Sequence, residues 1–139
     1  MSDQELPTAQ FYPWQQEFQD RFTRQIADQK LPHALLFSGI PDIGKKEFAF
    51  ALGAQILCDQ RLDASCGECS SCHLIKAGTH PDLVVVRPLE SRQIKIEQIR
   101  DVVDWAAQTA QQGGRKVAIV YPAEQMNQSS GNALLKCLE

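Results

Sequence analysis

Residues 38–48 read SGIPDIGKKEF, and within them residues 39–45 match G-x-x-x-x-G-K, the spacing of a phosphate-binding loop. The stretch sits between a short apolar run, ALLF at 34–37, and a segment with Phe48, Leu52 and Ile56 on one side of a helix. Buried strand, glycine-rich turn and helix is the order the motif needs, because the turn aims backbone N–H groups at phosphate oxygens from a helix N-terminus. Gly39 and Gly44 permit the tight backbone, and Lys45 is placed to reach terminal phosphates. The next residue should be Ser or Thr, whose hydroxyl holds Mg²⁺. Here it is Lys46, whose ammonium has donors only. Asp42 adds a negative charge inside the loop, where it opposes phosphate.

Outward from the loop, the periodicity alternates between strand and helix. Trp14, Phe18, Phe22 and Ile26 recur every four residues and predict a helix over 14–29 with one apolar stripe, ended by Leu31-Pro32. A helix is expected over 45–57, and residues 74–77 are expected to close a short one stopped at Gly78. Residues 82–87, DLVVVR, form a buried strand bounded by Pro81 and Pro88. Ile96, Ile99, Val103, Ala106 and Ala110 mark a helix that Gly113-Gly114 terminates. Residues 116–121 read as a third strand, and a last helix starts at Asn132. This succession predicts an α/β fold, a parallel sheet with helices on both faces.

Phosphate loops that hydrolyse nucleotides place acids after a following strand, to hold the metal's water shell. At those positions, after the strand at 117–120, stand Tyr121 and Pro122. Glu124 is either an acid displaced along the chain or, more simply, a solvated helix cap. The two departures lie apart in sequence and both remove Mg²⁺ chemistry, around which phosphoryl transfer is organised. The loop is therefore expected to keep its shape without hydrolysis.

Cys58, Cys66, Cys69 and Cys72 form C-x7-C-x2-C-x2-C. Four thiolates so close in sequence suit tetrahedral Zn²⁺, and a closed four-sulfur site is structural rather than catalytic. Gly67 allows the tight turn between two of them. Residues 69–73, CSSCH, also spell the c-type haem attachment string, but haem would leave Cys58 and Cys66 unexplained. An iron–sulfur site is the other rival, though no Cys-Pro follows at the x3 spacing. Unligated thiols are the remaining alternative. Cys137 lies on a helical apolar stripe and reads as a small core residue. His33 reads as packed or capping, His73 and His80 as spare ligands, and Trp105 as packing.

Composition narrows the class. A hydrophobic content of 43% and a charged content of 22% over 139 residues are those of one ordinary globular domain. Net charge −3 argues against a surface that wraps nucleic acid by itself. No apolar run approaches a membrane span, and Met1 is followed by polar and acidic residues. A cytoplasmic location is expected, where five cysteines point to metal or free thiols rather than disulfides.

The helix opening at Trp14, HALLFSG at 33–39, the altered loop, the four cysteines, AGTHPD at 77–82 and NALLK at 132–136 follow one another in this order. In that succession the chain resembles the delta-prime family of bacterial DNA polymerase III clamp-loader subunits, AAA+ proteins, over nearly its whole length. The cysteine cluster directly after the loop helix, then His-Pro-Asp, is the specific part. The resemblance implies structural zinc on Cys58, Cys66, Cys69 and Cys72, and phosphate-loop positions for Gly39, Gly44 and Lys45 that do not bind ATP. It implies an AAA+/RecA-like P-loop domain of which residues 1–139 are the N-terminal part, with a zinc-binding insertion at 58–73. The rest of that domain and a helical collar region are then expected after residue 139.

In function, the resemblance implies a non-hydrolysing subunit of a hetero-oligomeric ring with gamma/tau and delta-like partners. The ring uses ATP to load the sliding clamp onto primed DNA for DNA polymerase III, so nucleotidyl transfer belongs to the polymerase complex and no intrinsic ATPase is expected. The alternatives are an active, gamma/tau-like AAA+ ATPase subunit, separable by Mg²⁺-dependent nucleotide turnover, and an iron–sulfur electron carrier, separable by its colour.

Overall fold

A computed structural model describes residues 11–39, 43–60, 64–89, 91–108 and 115–138. The chain divides into two units, Met1–His80 and Pro81–Glu139.

In the first unit a 3-10 turn at Pro13–Gln15 leads into α1, Gln16–Ala27. Helix α2 is Lys45–Leu57 and α3 is Ser70–Ala77, capped by Gly78. The core is aromatic. Phe48 packs edge-on against Phe11 at 5.2 Å and Phe37 at 5.3 Å between ring centroids, and lies 5.9 Å from Phe22. Leu52 completes the buried cluster, with Ile26, Leu31 and Ile56 around it. A hydrogen bond from Gln55 Nε2 to Thr23 Oγ1, 2.9 Å, ties α2 to α1.

Three expectations for this unit change. The four-residue repeat of α1 does not stay on one face, because a helix turns every 3.6 residues and each step of four drifts by about 40°. Phe22 and Ile26 therefore meet the core while Phe18 rotates to 49% exposure, and Trp14, in the 3-10 turn ahead of the helix, stands 63% exposed. Helix α2 is buried on nearly every side, Phe50, Ala51, Gly53 and Ala54 included, so its apolar surface is broader than the stripe of Phe48, Leu52 and Ile56. Residues 34–37 form no strand. A strand is defined by the neighbour that takes its N–H and C=O groups, and among the described residues this run has no such partner strand; Leu36 stands 80% exposed.

The second unit is a βαβα succession. Strands β1, Leu83–Val86, and β2, Val117–Val120, pair in parallel with Leu83 opposite Val117 and Val86 opposite Val120. Helix α4, Ile96–Ala106, lies between them in sequence, and α5 is Gln128–Leu138. Val86, Ile94, Ile99 and Val102 form the core, with Val120, Met126 and Leu134 packed on it. Helix α5 packs on α4 and begins four residues before Asn132, because Asn127 Oδ1 accepts from Ser130 N at 2.8 Å and caps it. Helix α4 ends at Ala106; the Ala110 and Gly113-Gly114 expectations lie outside the described residues. The fold is thus α/β, with a two-stranded parallel sheet, helices and a four-cysteine cluster. No helix among the described residues is long and apolar enough to cross a membrane.

Candidate metal centre and phosphate loop

The cysteine cluster is assembled from the end of one helix and the start of the next. Cys58 is the C-cap of α2, donating its N–H to Ala54 O at 2.9 Å. Cys69 is the N-cap of α3, and its sulfur accepts from Cys72 N at 3.4 Å, which seats Cys72 in the first turn. Cys66 enters on the turn between them, where Gly67 takes φ +77°, a left-handed conformation that glycine adopts without strain. Cys66 Sγ accepts from the N–H groups of Glu68 at 3.4 Å and Cys69 at 3.2 Å. Backbone donors aimed at sulfur favour thiolate over thiol, as does the positive end of α3.

The four Sγ atoms all lie within 4.8 Å of one another. Cys58 and Cys69 are 3.9 Å apart, Cys66 and Cys72 3.8 Å. Four sulfurs at about 2.3 Å from one ion stand about 3.8 Å from each other in a regular tetrahedron. The spacing therefore fits one tetrahedral ion, and it is far above the ~2.05 Å of a disulfide; all four are free thiols. Burial pushes the Cys72 thiol up to about 12. Burial is the largest influence on Cys58 and acts in the same sense, but the backbone N–H groups of Cys66 and Gln60 and the neighbouring thiols of Cys66 and Cys72 together outweigh it, and the pKa falls. These four residues could hold a metal ion. His73 and His80, the spare ligands, are not among them; His73 is exposed and His80 buried. His33 is exposed. Cys137 lies in α5, and its side chain falls outside what is described.

At the loop, Gly44 is the N-cap of α2 with φ +83°, and Phe48 N donates to Gly44 O at 2.9 Å. Lys45 Nζ donates to Gly39 O at 2.8 Å, which brings the three predicted loop residues together. Asp42 lies outside the described residues. Trp14 Nε1 and Gln15 Nε2 both donate to Ile43 O, at 3.0 and 3.1 Å, and Gln15 also reaches Gly44 O at 3.2 Å. The ring of Tyr12, stacked on Trp14 at 4.7 Å, lies where a side chain at Gly44 would go, 2.6 Å from an added Cβ. Sequence reasoning missed this clasp, since Trp14 read as part of the helical stripe.

Tyr121 directly follows β2, and Pro122 precedes the 3-10 turn Ala123–Gln125 that carries the exposed Glu124. Arg87, directly after β1, donates to Tyr121 Oη at 3.1 Å and lies 5.8 Å from its ring centroid. The strand ends thus present a phenol and a guanidinium. Trp105 packs as expected: its Nε1 donates to Pro81 O at 3.2 Å and Lys116 sits 4.6 Å over its ring.

Residues 14–139 match the family described as DNA polymerase III, delta subunit. The DNA polymerase III subunit delta' of Pseudomonas aeruginosa is 45% identical over 133 residues, 94% of this chain and 40% of that protein. The subunit delta' of Escherichia coli is 33% identical over 131 residues, 93% of this chain and 39% of that protein. The DNA polymerase III subunit tau of Escherichia coli is 32% identical over 111 residues, 79% of this chain and 17% of that protein. The chain spans about 40% of the length of these delta' relatives.

Proposed function

The chain belongs to the DNA polymerase III delta-prime family, and from that premise we propose that it serves as a non-hydrolysing subunit of the replication clamp loader. In this role it helps to build, with gamma/tau and delta-like partners, the ATP-driven ring that loads the sliding clamp onto primed DNA. Its residues then form part of an AAA+-like P-loop domain carrying a metal-binding insertion at 58–73. One observation carries the non-hydrolysing part: both places that should serve Mg²⁺ are occupied by groups that cannot. Lys46 stands where a hydroxyl is needed, and the acid positions hold Tyr121, bonded to Arg87, and Pro122. Gly39, Gly44 and Lys45 keep the turn, and Lys45 is engaged with the loop's own Gly39 carbonyl.

The cysteine cluster holds structural zinc in this reading. Its support is the sulfur spacing of 3.8 and 3.9 Å, which suits a closed four-thiolate site with no position left for substrate. Bound there, zinc would join the end of α2 to the start of α3 and contribute folding free energy to a segment poor in apolar residues. The similarity to tau subunits and the retained Gly39, Gly44 and Lys45 favour a second reading, an active ATPase subunit. ATP titration with and without Mg²⁺, coupled to a turnover assay, separates the two. Absence of Mg²⁺-dependent turnover is expected; micromolar, Mg²⁺-dependent binding with hydrolysis would overturn the non-hydrolysing reading. Elemental analysis with an absorbance spectrum checks the metal, since zinc is colourless and iron–sulfur or haem is not.

A further inference from the structure

We propose that Asp59 is a positioning residue for the metal centre, a carboxylate brace that sets the cysteine geometry before an ion enters. The inference rests on the four-thiolate reading above. Asp59 follows Cys58 directly, at the end of α2, and both its oxygens reach across to the first turn of α3. Oδ1 accepts from Ser71 Oγ at 3.1 Å and Oδ2 accepts from Ser70 Oγ at 3.3 Å. Ser71 is completely buried, so its hydroxyl would cost free energy without that acceptor. Asp59 itself is exposed.

The arrangement separates Asp59 from the ligands it adjoins. An acid next to a cysteine in such a cluster is the obvious extra ligand, yet its oxygens are turned to the two serines and it is not among the four ligating groups. What it joins is informative. On one side stands Cys58, with one sulfur; on the other stand Cys69 and Cys72, the N-cap and first turn of α3, with two. A negative charge at the first turn also suits the helix dipole, so the brace acts whether or not a metal is bound. Lys76 Nζ donates to Gly67 O at 3.0 Å and fastens the turn that carries Cys66. With sulfurs already gathered, the ion does not have to supply the whole cost of ordering them, and affinity rises accordingly. The serines between Cys69 and Cys72 thus have a role.

The test is a zinc titration of the chain against a chromophoric chelator, with cobalt as the spectroscopic substitute. Asp59→Ala is expected to weaken zinc binding about tenfold, within the ~10–100-fold cost of losing an outer-shell partner. Its cobalt spectrum keeps four-thiolate charge-transfer intensity and tetrahedral bands. Ser71→Ala, which leaves the bond from Ser70, loses less, and the double variant is no weaker than Asp59→Ala alone, because Ser71 acts through Asp59. Asp59→Asn, which keeps one acceptor oxygen, recovers part of the loss. Unchanged affinity in Asp59→Ala, additive losses in the double variant, or a cobalt spectrum missing a ligand in Asp59→Ala would each overturn the brace. A wild-type chain that takes up neither ion overturns the four-thiolate reading and the brace together, whereas normal wild-type binding with an indifferent Asp59→Ala overturns the brace alone.

Discussion

Cys69 does two jobs at once: its sulfur caps α3 by receiving the N–H of Cys72, and it stands 3.9 Å from the sulfur of Cys58. Cys69→Ser is therefore expected to release the metal and open residues 64–77 to protease, measured by metal content and limited proteolysis; full retention of both would count against a four-thiolate site. Cys72, pushed up to about 12 by burial, holds its proton in the metal-free chain. An ion must displace that proton, so apparent zinc affinity rises as pH increases from about 6 to about 8, and chelator competition at several pH values reads the slope. Gly44 is a different kind of constraint. Its φ of +83° is costly for any other residue, and an added Cβ would strike the Tyr12 ring at 2.6 Å. Gly44→Ala should lower stability by at least about 1 kcal/mol in denaturant unfolding. The left-handed turn at Gly44 and the gathering of the four cysteines were legible in the sequence, because each is marked by a local spacing of one residue type. The clasp of Trp14 and Gln15 on Ile43 was not, since 28 and 29 residues separate donors from acceptor and no local pattern marks them.

Among the elements, those whose signal is internal came through from the sequence. Helices α2 and α4 start where the apolar pattern starts, and β1 and β2 fall within the two runs of branched residues. The run at 34–37, Ala-Leu-Leu-Phe, is as apolar and forms no strand, because apolar composition does not supply the neighbour a strand needs. Only Phe37 is committed there, to the aromatic core. That core makes α2 the first unit's main support: Phe48 is 4% exposed and meets Phe11, Phe22 and Phe37. Phe48→Ala should cost about 3–5 kcal/mol, read by chemical denaturation. Helix α3, with eight residues, is too short to hold itself together, so stripping the metal should erase its amide protection in hydrogen exchange. The amides of α2, α4 and the sheet should stay protected; equal loss everywhere would mean that the ion supports more than its own module.

For the whole molecule, the order of motifs carried more than any one of them. A phosphate loop alone names a very large class, but the loop followed by four cysteines and then His-Pro-Asp led to the clamp-loader family, and residues 14–139 match it. What the sequence could not show is the contact at the ends of β1 and β2, where Arg87 donates to Tyr121 Oη. Three-dimensional proximity joins two residues that are 34 apart in the chain. The decisive measurement is ATP-dependent loading of a sliding clamp onto primed DNA by a reconstituted ring whose delta-prime position is filled by the protein carrying this chain, wild type or Lys45→Ala. Loading that requires this subunit and proceeds at the same rate with Lys45→Ala is the expected result. A loss of loading with Lys45→Ala in a correctly assembled ring, or loading that is indifferent to the subunit, would contradict it.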